Sequence, residues 1–163
     1  MPIYMKYGDV KGNVSETEHK DWINLTSCQL GVNRRMTNPT GQSTQREGGA
    51  ASVGEIMISK LQDSSSSNLF NESLQGKGTK VEIHFVETPA GGSPEVYMKV
   101  ELEQTLVSSY SLAGAGGLDQ PRPMETLALN FTEINVTTHL MNPDGTKGDP
   151  VTHGWKLGEI AKK

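Results

Sequence analysis

The fold is decided by residues 80–87, which read Lys-Val-Glu-Ile-His-Phe-Val-Glu. Val81, Ile83 and Phe85 fall on one face, because successive side chains of a strand point to opposite faces. The polar and charged residues between them fall on the other face. This alternation is typical of a strand that buries one side. It predicts a sheet packed against a core.

The same period of two recurs on both sides of this stretch. Residues 95–106 and 125–137 alternate in the same way, and a one-residue phase shift in the second predicts a β-bulge near Thr132 or Glu133. Shorter strand candidates are Ile3–Tyr7, Trp22–Leu30, Val53–Ser59 and Val151–Leu157. Roughly seven or eight strands are therefore predicted, the number expected of a barrel or a sandwich.

One segment predicts a helix. Ser67 or Asn68 is the predicted cap and Gly76 the end, while the serines from Ser64 to Ser67 are interpreted as a linker into the helix. Three apolar side chains are predicted to lie in the core or in the contact between the helix and the rest of the domain. They are Phe70 and Leu74 of the helix and Trp155 of the last strand.

Three stretches show neither the strand alternation nor a helical pattern of apolar residues, and they are predicted to be loops: Gly31–Ser52, Ala113–Pro123 and Asn142–Asp149. The first is long, polar and rich in Gly, Thr, Gln and Arg. Long segments without structure of their own are usually functional or mobile. Gly31–Ser52 is therefore the first place to look for contacts with other molecules.

Composition narrows the class of protein. The 163 residues fit one domain, 1–163, and 34% hydrophobic residues with 18 Gly indicate long polar loops around a modest core. A net charge of −4 argues against general nucleic-acid binding, which needs a basic face. No signal peptide or bilayer-spanning run is recognisable. We expect a cytoplasmic chain that does not insert in a membrane and, if exported, does not use the ordinary signal-peptide route.

The search for chemistry assigns no catalytic, cofactor-binding or metal-binding residue. His19, His84, His139 and His153 do not stand at metal-ligand spacing, although a pair brought together by folding is an alternative. The one cysteine, Cys28, lies in a strand pattern and is interpreted as structural. Glu101 and Glu103 share a predicted face with Lys99, which favours a mixed-charge sheet surface over a carboxylate site. The protein is therefore predicted not to be an enzyme.

Five segments, in order along the chain, resemble one known family, the haemolysin-coregulated protein (Hcp) family of type VI secretion tube subunits. The resemblance runs from Met1 to about Lys156, which covers nearly the whole chain. The segments are Ile3-Tyr-Met-Lys-Tyr-Gly-Asp-Val-Lys-Gly12, His19-Lys-Asp-Trp-Ile-Asn-Leu25, the stretch from Lys60-Leu-Gln-Asp-Ser to Leu69, Leu106-Val-Ser-Ser-Tyr-Ser111 with a Gly-rich loop followed by Glu125 and Leu129-Asn-Phe131, and Gly154-Trp155.

The resemblance implies a mainly β fold, a single β-barrel of two antiparallel sheets with one flanking helix. It also implies that six copies assemble as a hexameric ring and that rings stack into a tube. A contractile sheath drives the tube out of the cell with a VgrG-like spike, and small effectors travel in the lumen. The subunit would be cytoplasmic before firing and secreted afterwards, with no cofactor and no catalytic role.

Particular residues follow as hypotheses within this frame. For ring stacking we predict Arg34, Arg35, Gln42 and Arg46 of the long loop. For the lumen we predict Asn24, Thr26 and Gln29, while Cys28 and Leu30 are better explained as core. Three other functions stay open: a phage-like tail-tube protein, a monomeric ligand-binding β-barrel, and a small hydrolase built around His84, His139 or His153.

Overall fold

The computed structural model describes residues 1–37, 47–88, 92–117, 122–142, 147–158 and 161–162. Within these ranges the chain is mainly β with one α-helix, α1 (Ser66–Gln75), and one short 3-10 turn (Thr17–His19). The strands are β1 (Ile3–Tyr7), β2 (Ile23–Leu25), β3 (Ser27–Gln29), β4 (Val32–Thr37), β5 (Glu47–Val53), β6 (Ile56–Leu61), β7 (Thr79–Glu87), β8 (Glu95–Ala113), β9 (Met124–Asn130), β10 (Glu133–Met141), β11 (Lys147–Lys156) and β12 (Ala161–Lys162).

The larger antiparallel sheet has the strand order β12-β11-β10-β8-β7-β1-β2. Strand β7 contains residues 80–87, and it pairs with β1 on one side and β8 on the other. Val81 and Ile83 are completely buried, as their alternation predicts. The pattern of residues 80–87 is therefore confirmed as a central strand, but its alternation is corrected at the end. A register shift between Phe85 and Val86 leaves Phe85 partly buried and buries Val86 completely.

A second antiparallel sheet has the order β8-β9-β6-β3. Strand β8 belongs to both sheets, since it pairs with β7 up to Thr105 and with β9 from Leu106 onward. Gln104 sits at this junction with a φ of 50°, a conformation that turns the strand from one sheet into the other. The inward side chains of both sheets form a single apolar cluster, which is the core.

Two strand predictions change at the crossings between sheets. Trp22–Leu30 is two short strands separated by Thr26, one in each sheet. Residues 125–137 contain a break instead of a bulge, because β9 belongs to the second sheet and β10 to the first. The Thr132 amide donates to the Glu103 carbonyl at 3.1 Å and holds this crossing. The described ranges contain twelve strands, more than the seven or eight predicted.

The predicted loop Gly31–Ser52 is wrong over most of its described length. Residues 32–37 and 47–53 pair as an antiparallel hairpin, β4–β5, which is separate from the other two sheets. The other two loop predictions are too long by one and three residues, since β8 continues to Ala113 and β11 begins at Lys147. Pairing across the hairpin stabilises residues whose composition alone indicates a loop.

The helix is confirmed, but its start and its buried side are corrected. Its N-cap is Ser65, and the buried Ser65 and Ser66 belong to the helix start instead of a linker. It ends at Gly76 as predicted. Leu69 is completely buried, whereas Phe70 and Leu74 are 50% and 66% exposed, so neither of these two is a core residue. The helix-packing alternative holds for Phe70, which packs on Tyr110 of β8. At about 100° per residue, Phe70 and Leu74 lie on one side of the helix and Leu69 on another.

Candidate functional site

The outward face of the larger sheet carries a continuous polar row. Residues directly opposite each other in adjacent strands share a face, so the register of five pairs defines the row. Its members are Asn24, Tyr4, His84, Lys99, Thr137 and Thr152. The hydroxyls of Thr137 and Thr152 are 2.8 Å apart, which links its last two strands. This face is suited to water or to a polar partner.

Beside this row the charges are interleaved. Lys80 Nζ and Lys99 Nζ lie 3.1 Å and 3.2 Å from the same oxygen, Glu101 Oε1. Partial burial acts to raise the pKa of Glu101, but the hydrogen bonds from the two lysines lower it below its ordinary value. The prediction of a mixed-charge surface is confirmed. Carboxylates held ionised by two lysines are poor candidates for general acid catalysis.

Folding brings two of the four histidines together. His19 Nε2 lies 2.9 Å from His84 Nδ1, and His19 Nδ1 lies 2.5 Å from Glu16 Oε2. Since an ionised carboxylate only accepts, His19 Nδ1 carries a proton. The Trp22 ring packs at 4.6 Å from the His84 ring. Sequence spacing gave no sign of this pair beyond the general alternative that folding might create one.

The environment of His84 keeps its ring neutral. Burial, followed by the positive charges of His19 and Lys99, lowers the pKa of His84 to about 4, against the opposing effect of Glu82 and Glu101. Its Nε2 is buried, and Glu82 Oε2 lies 3.8 Å away, beyond hydrogen-bond distance. Across the described ranges, no three His, Cys, Asp or Glu side chains converge as metal ligands. His19 and His84 thus meet as a hydrogen-bonded pair on the sheet face.

The three predicted lumen residues are exposed but do not form one site. Asn24 and Thr26 line an open polar cleft of about 700 Å³ together with Tyr4, Glu16 and Arg122. Gln29 lies outside this cleft, on β3 opposite Met57 of the second sheet. Cys28, between them in sequence, packs against the core, and burial raises the pKa of its thiol to about 11. Its interpretation as structural is supported, because a protonated thiol is a weak nucleophile.

The predicted stacking residues fall into two groups. Arg34 and Arg35 are exposed on β4, and neighbouring strand positions point to opposite faces of the hairpin. Arg34 Nε donates to the Gly49 carbonyl across the hairpin at 2.8 Å. Gln42 and Arg46 lie outside the described residues. The hairpin also exposes apolar side chains, with Val32 at 60% and Met36 at 58%.

An apolar groove, here called the hairpin groove, runs between the base of β4–β5 and strands β10–β11. It has a volume of about 450 Å³, and its walls include Leu30, Val32, Val53, Val136 and Trp155. Trp155 packs partly against the core, in agreement with its prediction. Leu30 is 36% exposed, so it is not the core residue that its pattern predicted. The sequence analysis did not predict this groove. The apolar residues Leu30, Val32 and Val53, which stand at the two ends of the polar segment Gly31–Ser52, were the signal that could have indicated it.

A second apolar surface, here called the helix patch, is formed by Phe70 and Leu74 of α1 with Tyr110 and Leu112 of β8. Phe70 packs on Tyr110 with ring centroids 5.5 Å apart. Leu112 is 53% exposed and stands two residues beyond Tyr110, on the same face of the strand. The patch therefore lies on the surface of the subunit.

No helix in the described part of the chain is long and apolar enough to cross a membrane.

Comparison with known proteins gives consistent matches. The family model described as "Type VI secretion system effector, Hcp" matches residues 4–138. The chain is 31% identical over 157 residues to Protein hcp1 of Pseudomonas aeruginosa, which covers 95% of this chain and 94% of that protein. A solved type six secretion system protein superposes with a TM-score of 0.88 at 25% identity, over 99% of both chains. Hcp1 from Salmonella typhimurium shares the fold, with a TM-score of 0.77 at 20% identity over 99% of this chain and 98% of that one.

Proposed function

The chain belongs to the Hcp family, the tube subunits of type VI secretion systems, and from this premise we propose that six copies close into a ring and that rings stack into the exported tube. The resemblance seen in the sequence segments is thereby confirmed at the level of the family. A ring of identical subunits repeats one heterologous contact by rotation and needs no second protein.

The observation that carries the proposal is the hairpin β4–β5. It is a two-stranded sheet of its own, and it exposes Val32 and Met36 together with Arg34 and Arg35. An isolated two-stranded hairpin is at best marginally stable in water. A projecting hairpin with apolar and cationic side chains is therefore suited to reach a neighbouring subunit, and we assign it to contacts between stacked rings.

The remaining surfaces fit a tube wall. Asn24, Thr26 and Gln29 are exposed polar positions. A lumen lined by such residues would let small effectors pass without binding tightly to the wall. We propose that the two sheets close as a barrel around the core and that the spike and the sheath components contact the ends and the outside of the tube. Within this proposal the protein is cytoplasmic until the apparatus fires, is secreted without a signal peptide, and has a structural role instead of an enzymatic one.

The test begins with the mass of the particle. Light scattering of the purified protein is expected to give six times the chain mass of 17.7 kDa, and electron microscopy at high concentration is expected to show tubes. The double variant R34E/R35E should keep the six-chain mass but shorten or abolish the tubes, because four units of charge change on the stacking hairpin.

A matched control is K11E/K20E, which makes the same change of charge at exposed lysines outside the hairpin. This variant should form tubes like the parent. A monomeric parent at every concentration would contradict the proposed ring, and normal tubes from R34E/R35E would contradict the role of the hairpin.

A further inference from the structure

We propose that the contact between His19 and His84 is a pH-sensitive latch. It holds residues 15–20, here called the strap, on the outward face of the larger sheet and releases them in acid. The latch lies within one chain, so it does not depend on the proposed ring, and it adds a conformational change to the structural role proposed above.

The strap is the tip of a loop whose neck is fixed. The Gly12 amide donates to the Asp21 carbonyl at 2.8 Å, and the Asp21 amide donates to the Val14 carbonyl at 2.9 Å. Ile23 of β2, just beyond the neck, is completely buried. The strap can therefore leave the sheet without disturbing β1 and β2 on either side of the loop.

A single side chain anchors the strap. His19 is the one buried residue of residues 15–20, a stretch that the structure describes throughout. Its Nε2 lies 2.9 Å from His84 Nδ1 on β7. The rings of Tyr4 and Trp22 pack against the His19 ring with centroids 4.8 Å away. The group that holds the strap on the sheet is therefore titratable, and so is its partner.

The contact between the two rings accommodates one proton and not two. A hydrogen bond between imidazole nitrogens contains a proton that one ring donates and the lone pair of the other accepts. The rings are perpendicular with centroids 5.1 Å apart, and 2.9 Å between the facing nitrogens leaves no room for a second proton. When both rings are fully protonated, both facing atoms are donors and the two positive charges repel, so the contact is lost.

Titratable groups face the pair from each element packed against it: Glu16 in the strap, Tyr4 on β1, Glu82 on β7, and Lys99 and Glu101 on β8. Glu16 accepts from His19 Nδ1, which keeps a proton on that ring. Burial and the charge of Glu16 raise the pKa of Tyr4, so Tyr4 stays uncharged in acid and in neutral solution. The charge that changes at the contact is therefore that of the histidine pair.

The closed strap disfavours a proton on His84. Burial, followed by the positive charges of His19 and Lys99, lowers the pKa of His84 to about 4, although Glu82 and Glu101 act to raise it. Release of the strap exposes the ring and returns its pKa toward the ordinary 6.5, so the open form binds the proton more readily. The closed form is therefore fully favoured above about pH 6.5 and loses ground as the pH falls toward about 4.

Release of the strap changes the polar cleft beside it. Ser15 and Glu16 line this cleft together with Asn24 and Thr26, the two residues that are proposed to face the lumen. When the strap leaves the sheet, the cleft widens on this side and His84 becomes accessible. The latch thus makes part of the proposed lumen surface dependent on pH.

Hydrogen exchange measured by mass spectrometry tests the latch on the purified full chain. Exchange of strap amides is compared at about pH 7 and about pH 4.5, corrected for the intrinsic pH dependence of exchange, with the core strand β6 as the reference. We expect strap protection to fall about tenfold in acid while β6 keeps its protection. Equal strap protection at both pH values, or a parallel loss in β6, would overturn the latch.

Two variants keep the contact and remove its titration. His84→Asn and His19→Gln each replace one ring by an amide, which can donate or accept and stays neutral. Both should retain strap protection in acid. His153→Asn is the matched control, because His153 is exposed and lies outside the loop, and it should lose strap protection like the parent. If the strap still opens in acid in both H84N and H19Q, another group controls it and the latch is wrong.

The NMR titration of the His84 ring gives a readout that needs no variant. In the parent its midpoint should lie well below the ordinary 6.5, and strap opening should follow the same curve. A His84 midpoint at its ordinary value, or an opening curve displaced from the His84 curve, would overturn the latch even if H84N or H19Q failed to fold.

Discussion

Lys60 Nζ lies 2.8 Å from Glu125 Oε2, and both side chains are completely buried. The two residues are directly opposite each other on β6 and β9. The same ammonium group contacts Asp63 Oδ1 at 2.8 Å and Ser66 Oγ at 3.3 Å. Because Asp63 and Ser66 flank the start of α1, this buried cation ties the helix, and with it the helix patch, to the second sheet.

Replacing Lys60 by methionine is expected to destabilise the subunit by about 3–5 kcal/mol, because it leaves buried carboxylates without a counter-charge. Glu125→Gln should cost less, since Asp63 still neutralises the lysine. Urea unfolding measures both differences.

The control for this pair is Lys11→Met. Lys11 is 78% exposed and lies 3.7 Å from Asp21, so its loss should change the free energy of unfolding by less than about 1 kcal/mol. Equal costs for K60M and K11M would show that the buried ion pair does not hold the helix.

His84 predicts a dependence of stability on pH. Its pKa is about 4 in the folded chain and 6.5 when unperturbed, so between these values the unfolded chain binds the proton and the folded chain does not. Stability should therefore fall as the pH drops from about 6.5 to about 4 and should not change from this cause above that window. The expected loss is about 2 kcal/mol, below the full linkage value because the ring is partly exposed to solvent.

The measurement compares unfolding free energies of the parent and His84→Asn across this window. The variant should show a shallower fall, while exposed His153→Asn should follow the parent. Parallel curves for the parent and H84N would mean that His84 is protonated as easily in the folded chain as in the unfolded one.

Gly12 lies where the chain passes close to the start of β2. A Cβ at this position would contact the Trp22 carbonyl oxygen and come within 2.7 Å of Ile23 Cα, and both are backbone atoms that cannot turn aside. Gly12→Ala is expected to cost about 2 kcal/mol through this overpacking. At Gly116 a Cβ meets nothing within 4 Å, so Gly116→Ala should change stability by less than about 0.5 kcal/mol. Thermal unfolding compares the two, and similar melting temperatures would contradict the close approach.

The alternation of apolar residues predicted strands well wherever a strand belongs to a single sheet. The bounds of β1 follow the alternation because its buried residues stay on one face along the whole strand. In β7 the alternation holds for Val81 and Ile83 but changes phase at a register shift after Phe85, which buries Val86.

The hydrophobic pattern of β8 does not reveal its crossing between the sheets. The buried positions shift from Val100 and Leu102 to Thr105 and Val107, and because Thr105 is polar, the sequence shows no apolar residue where the phase changes. Period alone does not report which sheet a strand joins.

Contacts between distant residues were beyond the reach of local patterns. His19 and His84 are separated by 65 positions, and their contact depends on how β7 and the 3-10 turn meet. The hairpin β4–β5 depends on pairing between residues of low strand propensity. The lumen and stacking residues were inferred from the family, and the structure adds that they are exposed where it describes them.

Leu69 and Leu74 provide the last prediction, because the two leucines of one helix have opposite surroundings. Leu69 is completely buried in the core, and Leu74 is 66% exposed on the helix patch. Leu69→Ala should lower the free energy of unfolding by about 2–5 kcal/mol, measured in urea at dilutions where light scattering shows single chains. Leu74→Ala should cost less than about 0.5 kcal/mol there, since it removes an exposed side chain. Equal losses in the single chain would instead place Leu74 in the core.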